Sequence, residues 1–129
     1  MKGFVENIEA VTLANENFRT VLYTDDRLQL VVMHLQPRED IGEEVHTLDQ
    51  FLRIESGKGS VILDGEERQI ESGTAIVIPA GVRHNVTNTE DNQPLKLYSI
   101  YTPPQHMEGT VHRTKAEAEA SEEHYTGQV

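Results

Sequence analysis

Residues 73–88 read GTAIVIPAGVRHNVTN, and this stretch decides the fold. Ala75 to Ile78 form a short apolar run that stops at Pro79, because proline lacks the N–H that a strand ladder requires. Gly81 then turns the chain, and His84 arrives as the next extended run, Asn85 to Asn88, begins. A strand, a tight turn and a second strand with no helix between them point to an all-β architecture.

The same punctuation runs outward in both directions. Phe18 to Tyr23 and Leu28 to Leu35 are rich in β-branched and aromatic residues and read as an antiparallel pair turning at Asp25-Asp26. Pro37 ends the second of them. Further strands are expected at Phe51 to Glu55, Ser60 to Leu63, Glu67 to Ile70 and Leu95 to Tyr101. Asp64-Gly65, set between two of these runs, is a strong hairpin signal, since a type I′ turn needs positive φ at both central residues. Many short strands without intervening helices indicate a sandwich or barrel. Only the tail differs. Thr114, followed by Lys115, Ala116 and Glu117, fits a capping box and predicts one helix running to about His124, alanine-rich and lying on the outside of the barrel.

Composition narrows the function classes. The 129 residues carry 11 Lys plus Arg against 22 Asp plus Glu, a formal charge of −11 spread along the chain. Such a surface repels phosphate backbones and anionic lipid, so neither nucleic acid nor membrane is expected as a partner. There is no cysteine, which removes disulfides, thiolate metal sites and cysteine nucleophiles together. The length suits one domain spanning residues 1–129. The opening residues have no apolar signal region and no window approaches a membrane span, so a cytoplasmic protein is expected.

Chemistry concentrates in two segments. In GEEVHTLDQFLRIESGKG, residues 42–59, the side chains of Glu44, His46 and Gln50 are spaced by two and four positions and would share one side of an extended backbone. His84 of the opening stretch offers a fourth donor. A single strand cannot surround an ion, so a site built from two neighbouring strands of a closed barrel is the physically reasonable arrangement.

Residues 73–88 resemble the second motif of the cupin family in full: a glycine, five residues, Pro-x-Gly, two residues, His, three residues and Asn, filled by Gly73, Pro79, Gly81, His84 and Asn88. The first cupin motif is matched at His46 and Gly57. It is altered at Glu44, where a histidine is usual, at Gln50, where a glutamate is usual, and at Arg38, where the motif opens with glycine. The resemblance covers roughly residues 28–101 and implies a jelly-roll barrel, the double-stranded β-helix, with one divalent metal held by Glu44, His46, Gln50 and His84. The tail TPPQHMEGTVHRTKAEAEA also looks like that of small bacterial cupins labelled as similar to mannose-6-phosphate isomerase.

Two imidazoles, a carboxylate and an amide oxygen form a mixed, fairly hard donor set that suits Fe, Mn, Ni or Zn as divalent ions and disfavours Cu(I) and iron–sulfur centres. A neutral Gln50 in place of a carboxylate leaves a bound divalent ion at net +1, which strengthens its Lewis acidity toward oxygen-rich ligands. Three functional expectations follow: a metal-dependent isomerase or lyase acting on a small hydroxylated or carbonyl compound such as a sugar derivative, an Fe(II) dioxygenase, or a non-catalytic binding or sensing module. A sugar phosphate would need a basic anchor inside the barrel, and Arg38, Arg53 and Arg83 cannot be placed there from sequence. His34 is expected to be a satisfied core histidine, with a place in the cavity wall as the alternative, and Asn88 a turn or network residue. His106, His112 and His124 are expected at the surface. Arg53, Tyr98 and Tyr101 are read as packing residues. A small jelly roll leaves sheet edges uncovered, so a homodimer pairing the N-terminal strands is expected.

Overall fold

A computed structural model describes residues 2–121. Helix α1 (Ile8–Ala14) leads into β1 (Arg19–Thr24), β2 (Gln29–Leu35), β3 (Asp49–Ser56), β4 (Lys58–Leu63), β5 (Glu66–Glu71), β6 (Ala75–Ile78), β7 (His84–Asn88), β8 (Leu95–Thr102), β9 (Val111–His112) and helix α2 (Lys115–Ala120). The strands form two antiparallel sheets, ordered β6-β3-β8-β2-β1-β9 and β5-β4-β7. The fold is the expected all-β jelly roll.

Period-two alternation aims the core. Val31, Met33 and Leu35 of β2, Leu52 and Ile54 of β3, Ile76 and Ile78 of β6, and Leu95 and Leu97 of β8 meet Val61 and Val86 of the facing sheet in one cluster. The chain passes from the larger sheet to the smaller one at Gly57. This glycine has φ 98, and a Cβ there would stand 2.4 Å from the Pro94 carbonyl oxygen, so both backbone and space require glycine. The Asp64-Gly65 turn has φ 51 and 86, as a type I′ turn demands. Arg38, standing where the related motif opens with glycine, takes φ 65, keeping the left-handed backbone without the usual residue.

Each expected strand is present, with ends displaced by no more than two residues. The Asp25-Asp26 turn forms, with Asp25 Oδ1 accepting from the Arg27 and Leu28 amides. The Thr114 cap also forms, its hydroxyl accepting from the Glu117 amide. The helix ends at Ala120, with Ser121 as its C-cap in extended backbone, short of the expected end near His124, which lies outside the described residues.

Three expectations need correction. A second helix, α1, lies near the N-terminus, where the sequence reading placed none; Asn7 caps it by accepting from Ala10 N. It covers the outer face of the large sheet, where Val32 is buried and His34 Nδ1 meets the Asn15 carbonyl at 3.3 Å. His34 is therefore satisfied and faces away from the interior. Next, the N-terminal strand β1 is no free edge, because β9 pairs along it. Last, His106 and His112 are not surface residues; each is 7% exposed. The tail that carries them is pulled in by Gln29, a fully buried amide on β2. Gln29 donates to Thr24 Oγ1 and the His106 carbonyl and accepts from the Gln105 and His106 amides, over sequence separations of up to 77 residues. No helix among the described residues is long and apolar enough to cross a membrane.

Candidate metal centre

His84 opens β7, and the irregular segment 40–44 runs beside that strand. Ile41 N donates to the Val86 carbonyl, and Glu44 and His84 exchange both backbone hydrogen bonds at 2.9 Å, an isolated bridge outside the named strands. Asn85 secures the segment from the side, accepting from Gly42 N and donating to Asp40. The bridge sets Glu44 opposite His84. Two residues on, the His46 carbonyl accepts from Gly81 N, so the Pro79–Gly81 turn holds His46 beside the same strand.

These constraints bring Glu44, His46 and His84 together, with one prospective ligand atom from each lying within 4.8 Å of the others. Glu44 Oε1 is 3.7 Å from His46 Nε2, and the two imidazole centroids are 5.1 Å apart. His84 Nδ1 stands 2.9 Å from the Val82 carbonyl. A carbonyl can only accept, so Nδ1 carries the proton and Nε2 keeps its lone pair, the orientation in which histidines commonly ligate metals. Burial pushes the His46 pKa down to about 4, with the charges of His84 and Arg19 adding to the effect, so this imidazole is neutral at physiological pH.

Gln50, the fourth residue expected, is not part of that three-residue group but faces the same interior. It pairs with Tyr101 across β3–β8, and opposed residues of antiparallel strands share a face. The Tyr101 ring in turn meets the His46 ring edge-on at 6.1 Å. Gln50 Nε2 donates to the fully buried Ser99 hydroxyl at 3.0 Å. Its Oε1 is buried and finds no partner, a cost of roughly 1–3 kcal/mol unless something accepts its lone pair. Two imidazoles, a carboxylate and this orphaned amide oxygen fit a divalent transition metal.

Of the residues read as packing, Arg53 and Tyr98 do face outward. Arg53 pairs with Glu55, and Tyr98 lies against Phe51 with centroids 6.2 Å apart. Tyr101 faces inward, and its ring also meets the His106 ring edge-on at 5.4 Å. Asn88 is the network residue expected. Fully buried, its Nδ2 faces the carbonyls of Leu35, Gln36 and Gln93, and its Oδ1 accepts from Glu90 N.

Arg19 was not singled out from the sequence. It pairs with Met33 across β1–β2 and with His112 across β1–β9; since Met33 is core, Arg19 also points inward, and it is only 8% exposed. Alternation along β1 from the buried Val21 would have placed it inside, a signal masked by the charge of the side chain itself.

Comparison with known proteins agrees with this geometry. The cupin domain family model matches residues 31–101. The chain is 50% identical over 129 residues to the uncharacterized protein YrkC of Bacillus subtilis, covering 95% of this chain and 69% of that protein. It is 40% identical over 113 residues to the uncharacterized protein L612 of Acanthamoeba polyphaga mimivirus, covering 84% and 70%. The crystal structure of BH2720 from Bacillus halodurans superposes with a TM-score of 0.90 at 51% identity, covering 93% of this chain and 96% of that one. An RmlC-like cupin from Shewanella frigidimarina shares the fold at 19% identity and a TM-score of 0.62, covering 66% and 74%.

Proposed function

This chain belongs to the cupin domain family, and from that premise we propose that it is a metal-dependent enzyme of the isomerase or lyase type, acting on a small hydroxylated or carbonyl compound such as a sugar derivative. The observation that carries this reading is the convergence of Glu44, His46 and His84, each offering a ligand atom within 4.8 Å of the others. Gln50 Oε1 is the fourth donor of the proposed site. A divalent ion bound there would supply Lewis acidity toward vicinal oxygens of the ligand.

The protein's part is to hold these donors in the ligating state. The Val82 carbonyl fixes the His84 tautomer, burial keeps His46 unprotonated above about pH 4, and the Ser99 hydroxyl holds the Gln50 amide by its NH2 group, so that Oε1 is the atom turned away. With Glu44 the only anionic donor, the loaded site keeps a positive charge that favours oxygen-rich ligands. Tyr101 and His106, stacked edge to face beside His46, form a buried wall that limits water. The resemblance of the tail to cupins labelled as similar to mannose-6-phosphate isomerase agrees with an isomerase.

One observation favours a second reading. Two histidines and one carboxylate are also the composition of the facial triad of Fe(II) dioxygenases. Metal analysis of protein purified without an affinity tag, together with Glu44→Ala, His46→Ala and His84→Ala, tests the site: near-stoichiometric metal that disappears in the variants is expected. Wild-type protein that takes up none of Fe, Mn, Ni or Zn overturns it. Oxygen consumption during a metabolite screen of the loaded enzyme selects the dioxygenase, and turnover without it selects the isomerase or lyase. Binding without turnover selects a sensing module. The proposed assembly is a homodimer, with Val77 at the β6 edge 64% exposed; light scattering at the mass of a 14.5 kDa monomer overturns that part.

A further inference from the structure

Among the arginines, Arg38, Arg53, Arg68 and Arg83 each pair with a carboxylate, on Asp91, Glu55, Glu66 and Glu43 respectively. Arg19 does not. It is the one that points into the barrel, and its guanidinium makes one side-chain hydrogen bond among the described residues, from Nη1 to His112 Nδ1 at 3.1 Å. Its Nε is buried with no partner, while its guanidinium carbon sits 5.2 Å from the centre of the Phe18 ring. A buried guanidinium without a counter-charge costs several kcal/mol. In a chain with twice as many acidic as basic residues, a carboxylate could readily have been supplied.

We propose that Arg19 is an anion anchor for the ligand of the metal centre, binding an oxyanion, most simply a carboxylate, through the N–H groups that His112 leaves unused. The inference rests on the metal-site reading and deepens it: the substrate class becomes a small hydroxylated acid. Three features agree. The guanidinium fork presents parallel N–H donors that match the spacing of two oxyanion oxygens. His112 occupies Nη1 and thereby fixes which side of the fork remains. The tail that brings His112 to Arg19 also brings His106 against the Tyr101 ring, whose edge meets His46 at 6.1 Å, so the guanidinium and the metal centre are set along one inner wall of the barrel.

The test titrates glycerate, inorganic phosphate and uncharged glycerol into Mn(II)-loaded wild type, Arg19→Met and Arg19→Lys, with metal content and melting temperature measured on each. Wild type is expected to bind glycerate at least tenfold more tightly than glycerol. Arg19→Met is expected to lose at least tenfold in glycerate affinity, keep its metal, and melt no lower than wild type, because an apolar side chain replaces an uncompensated charge. Arg19→Lys, which keeps the charge without the fork, should fall between them. Tighter phosphate than glycerate binding, lost equally in Arg19→Met, identifies the anchored oxyanion as a phosphoryl group. Equal glycerate affinity in wild type and Arg19→Met overturns the anchor, as does a wild type that binds neither anion, or an Arg19→Met protein that melts well below wild type with its anion affinity intact. If wild type takes up no metal yet binds glycerate in an Arg19-dependent way, the metal reading fails and the anchor stands.

Discussion

Replacing Gln50 with leucine separates a ligand from a structural residue, because the two roles predict opposite changes in the metal-free protein. In the structure Gln50 makes one side-chain hydrogen bond, to Ser99 Oγ, and leaves Oε1 buried and unpartnered. Leucine removes that orphaned oxygen, worth roughly 2 kcal/mol, and orphans the fully buried Ser99 hydroxyl at about the same cost. Metal-free Gln50→Leu should therefore lie within about 1 kcal/mol of wild type in urea unfolding. Adding Ser99→Ala removes the second orphan, and the double variant should exceed wild type by roughly 1–2 kcal/mol. Metal affinity should move the other way, at least about tenfold weaker by competition with a chelator, or 1.4 kcal/mol. Gln50→Glu should bind metal more tightly than wild type by adding a second carboxylate. A loss of about 3 kcal/mol in the metal-free single variant, with metal affinity unchanged, would refute the assignment.

Three further outcomes are expected. Between pH 6.5 and 4 the unfolded chain protonates His46 while the native state, held at about 4, does not; the unfolded state binds more protons, so metal-free stability falls with pH by roughly 3 kcal/mol across that window. His46→Gln should flatten this slope in urea titrations, and an unchanged slope counts against the buried neutral imidazole. His84→Ala should weaken Zn(II) binding by at least about 100-fold, judged against the 10- to 100-fold that loss of an outer partner alone costs; retention of wild-type affinity in a chelator competition excludes His84 as a ligand. Gln29→Met, which keeps the side-chain length but strips four hydrogen bonds, should destabilise by about 3–4 kcal/mol and accelerate amide exchange at His106. A change below 1 kcal/mol would mean that the tail is held by something else.

Local features of the sequence carried most of the barrel and half of the site. Pro79, Gly81 and Asp64-Gly65 act through their own backbone geometry, so strand ends and turns could be placed from them alone. His84 and His46 sit beside such turns and were legible for that reason. Gln50 was legible through its spacing from Glu44 and His46 and through resemblance, but its significance lies in an oxygen with no partner, which no sequence pattern displays. Helix α1 is seven residues long with only Thr12 buried, too short for a periodic signal, although Asn7 three residues before Ala10 was a cap in plain view. Arg19, His106 and His112 were missed for a different reason. Their burial is decided by partners 77 and 93 residues away, and a polar side chain in a short edge strand or a loop carries no sign of such contacts.

Gln29 divides the labour of the molecule in a way that bears on how its chemistry can change. The barrel contributes the donors, while the tail after β8 brings His106 and His112 to the interior, and one fully buried amide fastens the tail near His106. Two of Gln29's partners are backbone amides and one is a backbone carbonyl, so the fastening is indifferent to which side chains the tail carries. Substitutions at positions 105, 106 or 112 can thus remodel the wall facing the ligand while the latch and the metal donors stay as they are. A lineage could exchange one substrate for another by editing this strap, with the barrel serving as an unaltered chassis.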